Sequence, residues 1–439
     1  MRTATSFLTA GLLTASVAFA QLLPYQSPHK TEGAATCASS LCHGSIKTWK
    51  DTPVLQNEYV TWSRLDKHAR AYNLLLNEKS KRIATNLGLK ELPHQAKICL
   101  DCHAHNIRPE RHGEKFNIDD NITCESCHGP AERWIRSHVA PNATHASNVA
   151  NGMYPTDDVA ARAKLCLSCH FGNKDKLVTH RIMGAGHPRM SFELDSFTEM
   201  APKHFVLDRD YRERKRVWEG VKVWAIGQAL MVAETMDWLN DDKRGRDGVF
   251  PELVLFDCHA CHRPMAENRL QAKTPLGIAA TPGLVRLNDA NMLMLRVIAR
   301  VIDPALGEQV SARTVALHRA IAGDGDAKQA ATQLKAVANE VARRTQAVRI
   351  DAKMLQSIAL GLADDGVNGV YRDYAAAEQA VMALASIGHF MAQQGALKSG
   401  VAFNTQWRRL NETLRHDEKF KPQEFMVRMR DVRTALAPR

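Results

Sequence analysis

The sequence is poor in several features that define common classes of protein. Beyond residue 20 it has no apolar run long enough to cross a bilayer, no strand-like alternation of useful length and no glycine-rich phosphate loop. Its cysteines end at Cys261, so the C-terminal part of the chain has none. These absences argue against a transmembrane segment in the mature chain, a β-sheet protein and a P-loop enzyme.

The first twenty residues, MRTATSFLTAGLLTASVAFA, are typical of a signal peptide. One early arginine precedes a short apolar stretch that ends in the small-x-small pattern at Ala18 and Ala20. An uncleaved membrane anchor is the alternative, but the stretch is short and is interrupted by threonine and serine. We therefore expect cleavage near Ala20 and an exported, periplasmic product.

The cysteines form a repeated pattern with histidine. All ten fall into five pairs, and a histidine directly follows the second cysteine of each pair. The pairs are Cys37/Cys42, Cys99/Cys102, Cys124/Cys127, Cys166/Cys169 and Cys258/Cys261, followed by His43, His103, His128, His170 and His262. Only 19 of 439 residues are histidine, so five such placements are not expected by chance.

Covalent haem attachment explains both the cysteines and the histidines. Disulfides are the usual use of cysteine in an exported protein, but they do not need a following histidine. A zinc ribbon could use the second and third pairs, yet it also leaves the histidines unexplained. In C-x-x-C-H the thiols form thioether bonds to haem and the histidine becomes the proximal iron ligand.

The first motif, CASSLCH, has four residues between its cysteines where the other motifs have two. An unattached cysteine pair is the alternative at this site. A longer loop can bulge while the two sulfurs keep their separation, and every other cysteine already belongs to a haem motif. The sequence therefore predicts five haem c groups, each with one iron.

The motifs together resemble the multihaem cytochromes of the cytochrome c-554 type. The resemblance rests on CASSLCHGS, WSRLDKHARAY, ICLDCH, ITCESCHGPAERW, LCLSCH, THRIMGAGHPRMSFEL and the tryptophan-containing stretch that leads into FPELVLFDCHACH, over roughly residues 35–265. It implies an exported electron carrier whose haems stack closely along a mostly helical chain. Tetrahaem members lack one of these sites, so five haems are a departure from that type.

Each iron needs a sixth ligand, since an open position lets a haem bind small molecules. Sequence context and the resemblance together favour His68, His138, His180 and His187. His68 lies beside the apolar stripe of a predicted helix over residues 59–76, where an ordinary surface or core role is the alternative. His138 has the placement that in relatives directs the histidine to a neighbouring haem, and the other two flank RIMGAG in a predicted loop.

The remaining candidates leave one haem without an assigned sixth ligand. For the histidines in polar loops, both a ligand role and a solvated role stay open; they are His105, His112, His145 and His204. We expect His259 to point outward and His389 to pack within an apolar helix. Met183 is the weakest candidate, as a thioether ligand.

The chain divides into four parts. These are a signal peptide (residues 1–20), a pentahaem cytochrome c domain (21–272), a proline- and glycine-containing linker (273–285) and a helical domain (286–439). A long amphipathic helix that packs as ordinary core is predicted near the end of the haem domain, from Trp218 to Leu239. The expected fold class is mainly α, with haems in the core of the first domain and a C-terminal helical bundle that covers it or recruits a partner.

Charge and ligation lead to two candidate functions. The net charge of +11 does not indicate nucleic acid, because five haems would add about ten propionate charges that lysine and arginine can offset. We expect an electron carrier for redox proteins, acidic or membrane-bound; the oligomeric state stays open. The alternative is an oxidoreductase in which one five-coordinate haem acts on a small nitrogen or oxygen species, although no motif ends in the lysine of pentahaem nitrite reductases. No catalytic residue is assigned.

Overall fold

The computed structural model describes residues 22–50, 52, 54–246, 249–262, 276 and 286–436. These residues form α-helices and short 3-10 helices, with two isolated bridges, Thr31 to His112 and Phe256 to Leu287, and no β-strand. The predicted mainly α class is therefore confirmed for this part of the chain. The predicted signal peptide lies outside it, as does the predicted linker apart from Leu276.

Short helices separated by turns make up the N-terminal half. The α-helices are α1 (Glu58–Leu65), α2 (Glu78–Leu87), α3 (Lys97–His103), α4 (Cys124–His128), α5 (His145–Ala150), α6 (Val159–His170), α7 (His180–Gly184), α8 (Leu194–Met200) and α9 (Arg209–Arg214). The 3-10 helices here are Pro24–Gln26, Ala34–Thr36, Lys67–Arg70, Tyr72–Leu76, Pro109–Arg111, Ile118–Asp120 and Ser137–Val139. Such short elements bury little apolar surface of their own.

The helix predicted over residues 59–76 is broken. Helix α1 ends at Leu65, and Asp66 then caps a separate 3-10 helix, Lys67–Arg70, by accepting the backbone N–H of His68. An aspartate at this position offers the chain a new helix start, which competes with continuation of the first helix. His68 therefore lies on a short 3-10 turn and not on the stripe of a long helix.

Helix α10 (Gly220–Asn240) joins the two halves of the molecule. It packs against α6 and α8 on one side and against helices of the C-terminal bundle on the other. The predicted amphipathic character is wrong, because Trp224 and Gln228 are both fully buried on a helix that is buried on most of its surface. A helix without a polar face is stable only when it is covered all round.

The C-terminal part is a bundle of seven helices within the described residues 286–436. They are α12 (Ala290–Ile302), α13 (Pro304–Ile321), α14 (Ala327–Ala347), α15 (Ala352–Val367), α16 (Tyr374–Gln393), α17 (Gly400–Glu412) and α18 (Pro422–Ala435). Side chains that cap their N-termini are Asp303, Asp326, Asp351, Asp373 and Ser399. The bundle and α10 share the largest apolar core of the described chain.

Helix α16 connects the bundle to the segment that follows α7. Glu378 accepts two hydrogen bonds from Arg189, at 2.8 and 3.0 Å, and buried Gln379 donates to the carbonyl of Phe192 at 3.0 Å. Ser386 donates to Asp195 at the start of α8. The bundle therefore holds residues 189–195 in place by three polar contacts. None of the described helices has the length and apolar content of a membrane span.

Candidate haem-binding site

Four of the five cysteine motifs lie on short helices. They occupy α3, α4, the C-terminal end of α6 and α11 (Cys258–Cys261), which follows the 3-10 helix Leu253–Leu255. Residues i, i+3 and i+4 share one face of a helix, so both thiols and the imidazole of a motif project to the same side. Local caps start the shortest of these helices: Ser126 accepts the N–H of Thr123 at 2.9 Å, and Asp257 accepts that of His259.

The longer first motif closes on itself in the same way as the last one. The N–H of His43 donates to the carbonyl of Cys37 at 3.2 Å, and that of His262 donates to the carbonyl of Cys258 at 2.8 Å. The two extra residues form a turn that Gly44 completes, where a Cβ would lie 1.9 Å from a backbone oxygen. The additional loop length therefore keeps the histidine next to the first cysteine.

Each motif histidine faces a second histidine from elsewhere in the chain. The distances between ring centres are 6.3 Å for His43 and His138, 5.8 Å for His68 and His170, 6.4 Å for His103 and His187, 6.1 Å for His128 and His204, and 6.1 Å for His180 and His262. All five motifs take part, and no histidine is shared between two pairs. Imidazoles repel rather than attract one another when charged, so ordinary packing does not account for five such pairs.

The spacing of the pairs fits a metal ion between two imidazoles. Nitrogen–metal bonds of about 2 Å on opposite sides of an ion place the ring centres roughly 6 Å apart. In the pair of His68 and His170 the Nε2 atoms face each other at 3.5 Å. The donor set therefore fits iron held by two histidines. The attachment motif predicts the first of these two ligands, and the structure adds the second.

Hydrogen bonds fix the orientation of the imidazoles. In five of the paired histidines Nδ1 has a partner: Glu58 Oε2 for His43 (2.9 Å), Asp66 Oδ1 for His68 (2.9 Å), Ala71 O for His103 (3.0 Å), Ile135 O for His138 (2.7 Å) and Pro188 O for His187 (2.8 Å). An Nδ1–H that donates outward leaves Nε2 as the lone-pair nitrogen for a metal. Burial also lowers the pKa of His128 to about 3, which keeps this imidazole neutral.

The structure brings all four predicted distal histidines next to motif histidines. His68 and His187 face the fourth and second motifs, while His138 and His180 face the first and fifth. His204, for which the sequence left a ligand role and a solvated role open, lies between α8 and α9 and faces His128. Its surroundings, PKHF, carry no helical periodicity, and only the requirement for a fifth partner could have singled it out.

The other candidates have different neighbours. Buried His105 bonds Thr31 Oγ1 at 3.1 Å, His112 stacks on Phe116 with ring centres 4.0 Å apart, and His145 bonds Asp157 at 2.7 Å. Within the described residues, none of these three is paired with a motif histidine.

The predicted surroundings of the two remaining histidines, His259 and His389, are both wrong. His259 faces inward to Tyr374, with ring centres 5.8 Å apart, so the expected outward orientation is wrong. His389 is exposed and bonds Gln393 at 2.8 Å, so its predicted packing is also wrong. The residue sits on the solvent side of α16, whose opposite side is apolar.

A continuous cavity of about 3310 Å³ runs between the first four motifs. Apolar side chains that line it are well exposed; they include Leu41 (77%), Leu65 (65%), Leu74 (53%), Val139 (71%) and Met200 (70%). Apolar surface of this extent is normally covered in a folded protein. Large flat apolar groups attached at the motifs would cover it, which is the second respect in which these residues fit haem.

Cysteines of different motifs lie close to one another. Cys37 lies near Cys124, Cys102 near Cys169 and Cys127 near Cys166. Helix α7 and the loop after it carry His180 and His187, the partners of the fifth and second motifs. The order in space is therefore first, third, fourth, second and fifth.

Residues 36–129 match the family described as cytochrome c554 and c-prime. The matched segment contains the first three cysteine motifs together with His68. Over this segment the match confirms the predicted resemblance to the cytochrome c-554 family, and it supports a c-type cytochrome with covalently bound haem c and a role in electron transfer. No curated protein and no solved structure matches the chain.

Proposed function

We propose that this chain is an exported pentahaem c-type cytochrome that transfers electrons between redox partners. The observation that carries the proposal is the set of five histidine pairs, each made of one motif histidine and one histidine from another segment. The family match supports the c-type assignment over the first three motifs. Export is supported by the N-terminal sequence, and the family's members are usually exported.

The side chains of each site have separate roles in this proposal. The two thiols would hold the porphyrin covalently and the two imidazoles would bind its iron, while carboxylates or carbonyls that accept from Nδ1 keep the imidazole rings oriented. Haem iron with this ligation supplies one-electron chemistry. The carboxylates of Glu58 and Asp66 accept the Nδ1–H of His43 and His68, which makes the Nε2 atoms of these two imidazoles stronger electron donors to a metal.

The row of motifs suggests where electrons enter and leave. Among the ten cysteines, Cys42 and Cys261 are the exposed ones, and they belong to the first and fifth motifs at the two ends of the row. The six cysteines of the three interior motifs are all intermediate in exposure. We propose that partners bind at the ends, next to Cys42 and Cys261.

The alternative of a five-coordinate haem gains no support from the geometry. Each of the five motif histidines has an opposing imidazole, so every iron has a candidate sixth ligand. A substrate would have to displace a histidine to reach the metal. The residues therefore favour electron transfer over catalysis on a small nitrogen or oxygen species.

Electron paramagnetic resonance of the oxidised, fully matured protein tests this proposal. Bis-histidine ligation predicts low-spin iron only, and a spectrum unchanged by nitrite, hydroxylamine or nitric oxide. A high-spin signal that responds to one of these compounds would contradict the carrier and support the enzyme. N-terminal sequencing of the mature protein, expected to begin near Gln21, tests export separately.

A further inference from the structure

One cationic side chain of the cavity wall lacks a counter-charge. Arg162 lies on α6 one turn before Cys166, is 8% exposed and lines the cavity. Its guanidinium carbon lies 3.4 Å from the ring centre of Trp218, so the indole covers one face of the group. Its Nε and one terminal nitrogen have no hydrogen-bond partner.

The nearest acidic residues are already engaged. Asp195 accepts a hydrogen bond from the hydroxyl group of Ser386, and Glu199 forms an ion pair with Lys203 at 2.9 Å. Both influence Arg162 only through space, and within the described residues no carboxylate forms an ion pair with it. A buried guanidinium without a bonded anion is strongly unfavourable. The cavity wall is therefore incomplete without an anionic group at this position.

We propose that Arg162 binds a carboxylate, and that this carboxylate is a propionate of a haem attached at the neighbouring motifs. The inference rests on the proposed function, which supplies the propionates. The two unpartnered nitrogens, Nε and a terminal one, form the edge of the guanidinium that bonds both oxygens of a carboxylate. Trp218 fixes the plane of that edge, so the site is already shaped before the anion arrives.

The test compares Arg162→Gln and Arg162→Lys with the matched control Arg216→Gln. Arg216 lies close in sequence to Trp218, but its side chain is 69% exposed and it already pairs with Asp158 at 2.6 Å. Haem content is counted first, because five haems in every variant show, independently of Arg162, that the cofactors on which the proposal depends are attached. Reduction potentials are then measured by spectroelectrochemical titration of each matured protein.

Loss of the cation is expected to favour the oxidised haem, which carries one more positive charge. Arg162→Gln should lower one potential by at least a tenfold change in the reduction equilibrium, about 59 mV for one electron. Arg162→Lys should show a smaller shift of the same potential, since lysine keeps the charge and loses the bidentate geometry. Arg216→Gln should leave every potential in place.

Sodium acetate at constant ionic strength distinguishes a tethered from a free carboxylate. With a propionate bound, acetate should not move the potentials of the wild-type protein. A saturable shift that Arg162→Gln abolishes would support the carboxylate site but assign it to a free ligand.

Full haem content with Arg162→Gln potentials equal to those of Arg216→Gln would overturn the site and leave the proposed function intact. If Arg162→Gln does not accumulate, unchanged potentials in Arg162→Lys would overturn it equally. A chain without haem would overturn the proposed function instead.

Discussion

The imidazole planes of His204 and His128 are nearly perpendicular, at 85°, and their ring centres lie 6.1 Å apart. His204 comes from the loop between α8 and α9, whereas His128 ends α4 in the third cysteine motif. This relationship completes a set in which every motif histidine has an opposing partner. The sequence had left one haem without an assigned sixth ligand, and His204 is a candidate for that ligand.

Replacing His204 should create a five-coordinate haem. His204→Ala is expected to convert one of five low-spin irons to high spin, because the nearest imidazole on that face is removed. Electron paramagnetic resonance with added nitric oxide measures the change. His145→Ala is the matched control, since His145 also lines the cavity but bonds Asp157; a high-spin signal in the control alone would contradict the assignment.

The first motif should carry a haem despite its longer spacing. The double variant Cys37→Ala/Cys42→Ala is expected to lose one haem by intact mass and to leave the other four attached, because each motif binds its own group. Removal of Ser39 and Ser40, which restores the shorter spacing, should retain five. An unchanged mass after the double substitution would show that this pair is not an attachment site.

The contact between α16 and the segment after α7 should be needed for stability. Buried Gln379 donates to the carbonyl of Phe192 and accepts from Gln228 at 2.8 Å. Gln379→Ala leaves both partners unsatisfied and should lower the free energy of unfolding by about 1–3 kcal/mol. Gln393→Ala, on the exposed side of the same helix, should change it by less than about 0.5 kcal/mol in urea denaturation.

Glu234 on α10 predicts a dependence of stability on pH. Burial, more than nearby Asp237, raises its pKa from 4.5 to about 7, while Lys335 opposes the shift. The folded protein then holds this proton more tightly than the unfolded chain, so its stabilising contribution is complete below pH 4.5 and is lost as the pH rises through 7. Allowing for partial exposure, the loss should be about 1–2 kcal/mol.

Urea denaturation between pH 4 and 8 in roughly one-unit steps measures this effect. Glu234→Gln cannot ionise and should abolish that part of the pH dependence. Glu308→Gln, at an exposed position, should parallel the wild-type protein. A Glu234→Gln variant that kept the full wild-type slope would show that another group titrates.

Local sequence predicted the cysteine motifs because their geometry depends on five to seven consecutive residues. The return of His43 to Cys37 is of this kind, since neighbouring residues close the turn. Pairings such as His204 with His128 depend on where distant loops meet, and nothing in PKHF encodes that position locally. The hydrogen bond from the backbone N–H of His68 to Asp66 is an intermediate case, in which a cap residue visible in the sequence broke a helix that periodicity had favoured.

The periodicity of apolar residues also could not predict which faces of the helices are buried. The pattern from Trp218 to Leu239 predicted one apolar face, but α10 is covered from both sides by helices distant in sequence. The prediction that His389 packs in the core was wrong for the opposite reason. This position of α16 faces solvent, whereas Gln379 on its other side is buried. The mainly α class followed from the absence of strand patterns and needed no tertiary information.

The number of haems per polypeptide tests the central claim most directly. Pyridine haemochrome absorbance of the matured protein, divided by the polypeptide concentration from amino acid analysis, should give five. A ratio of four would remove one motif from the row. A colourless protein with free thiols at all ten cysteines would contradict the account as a whole.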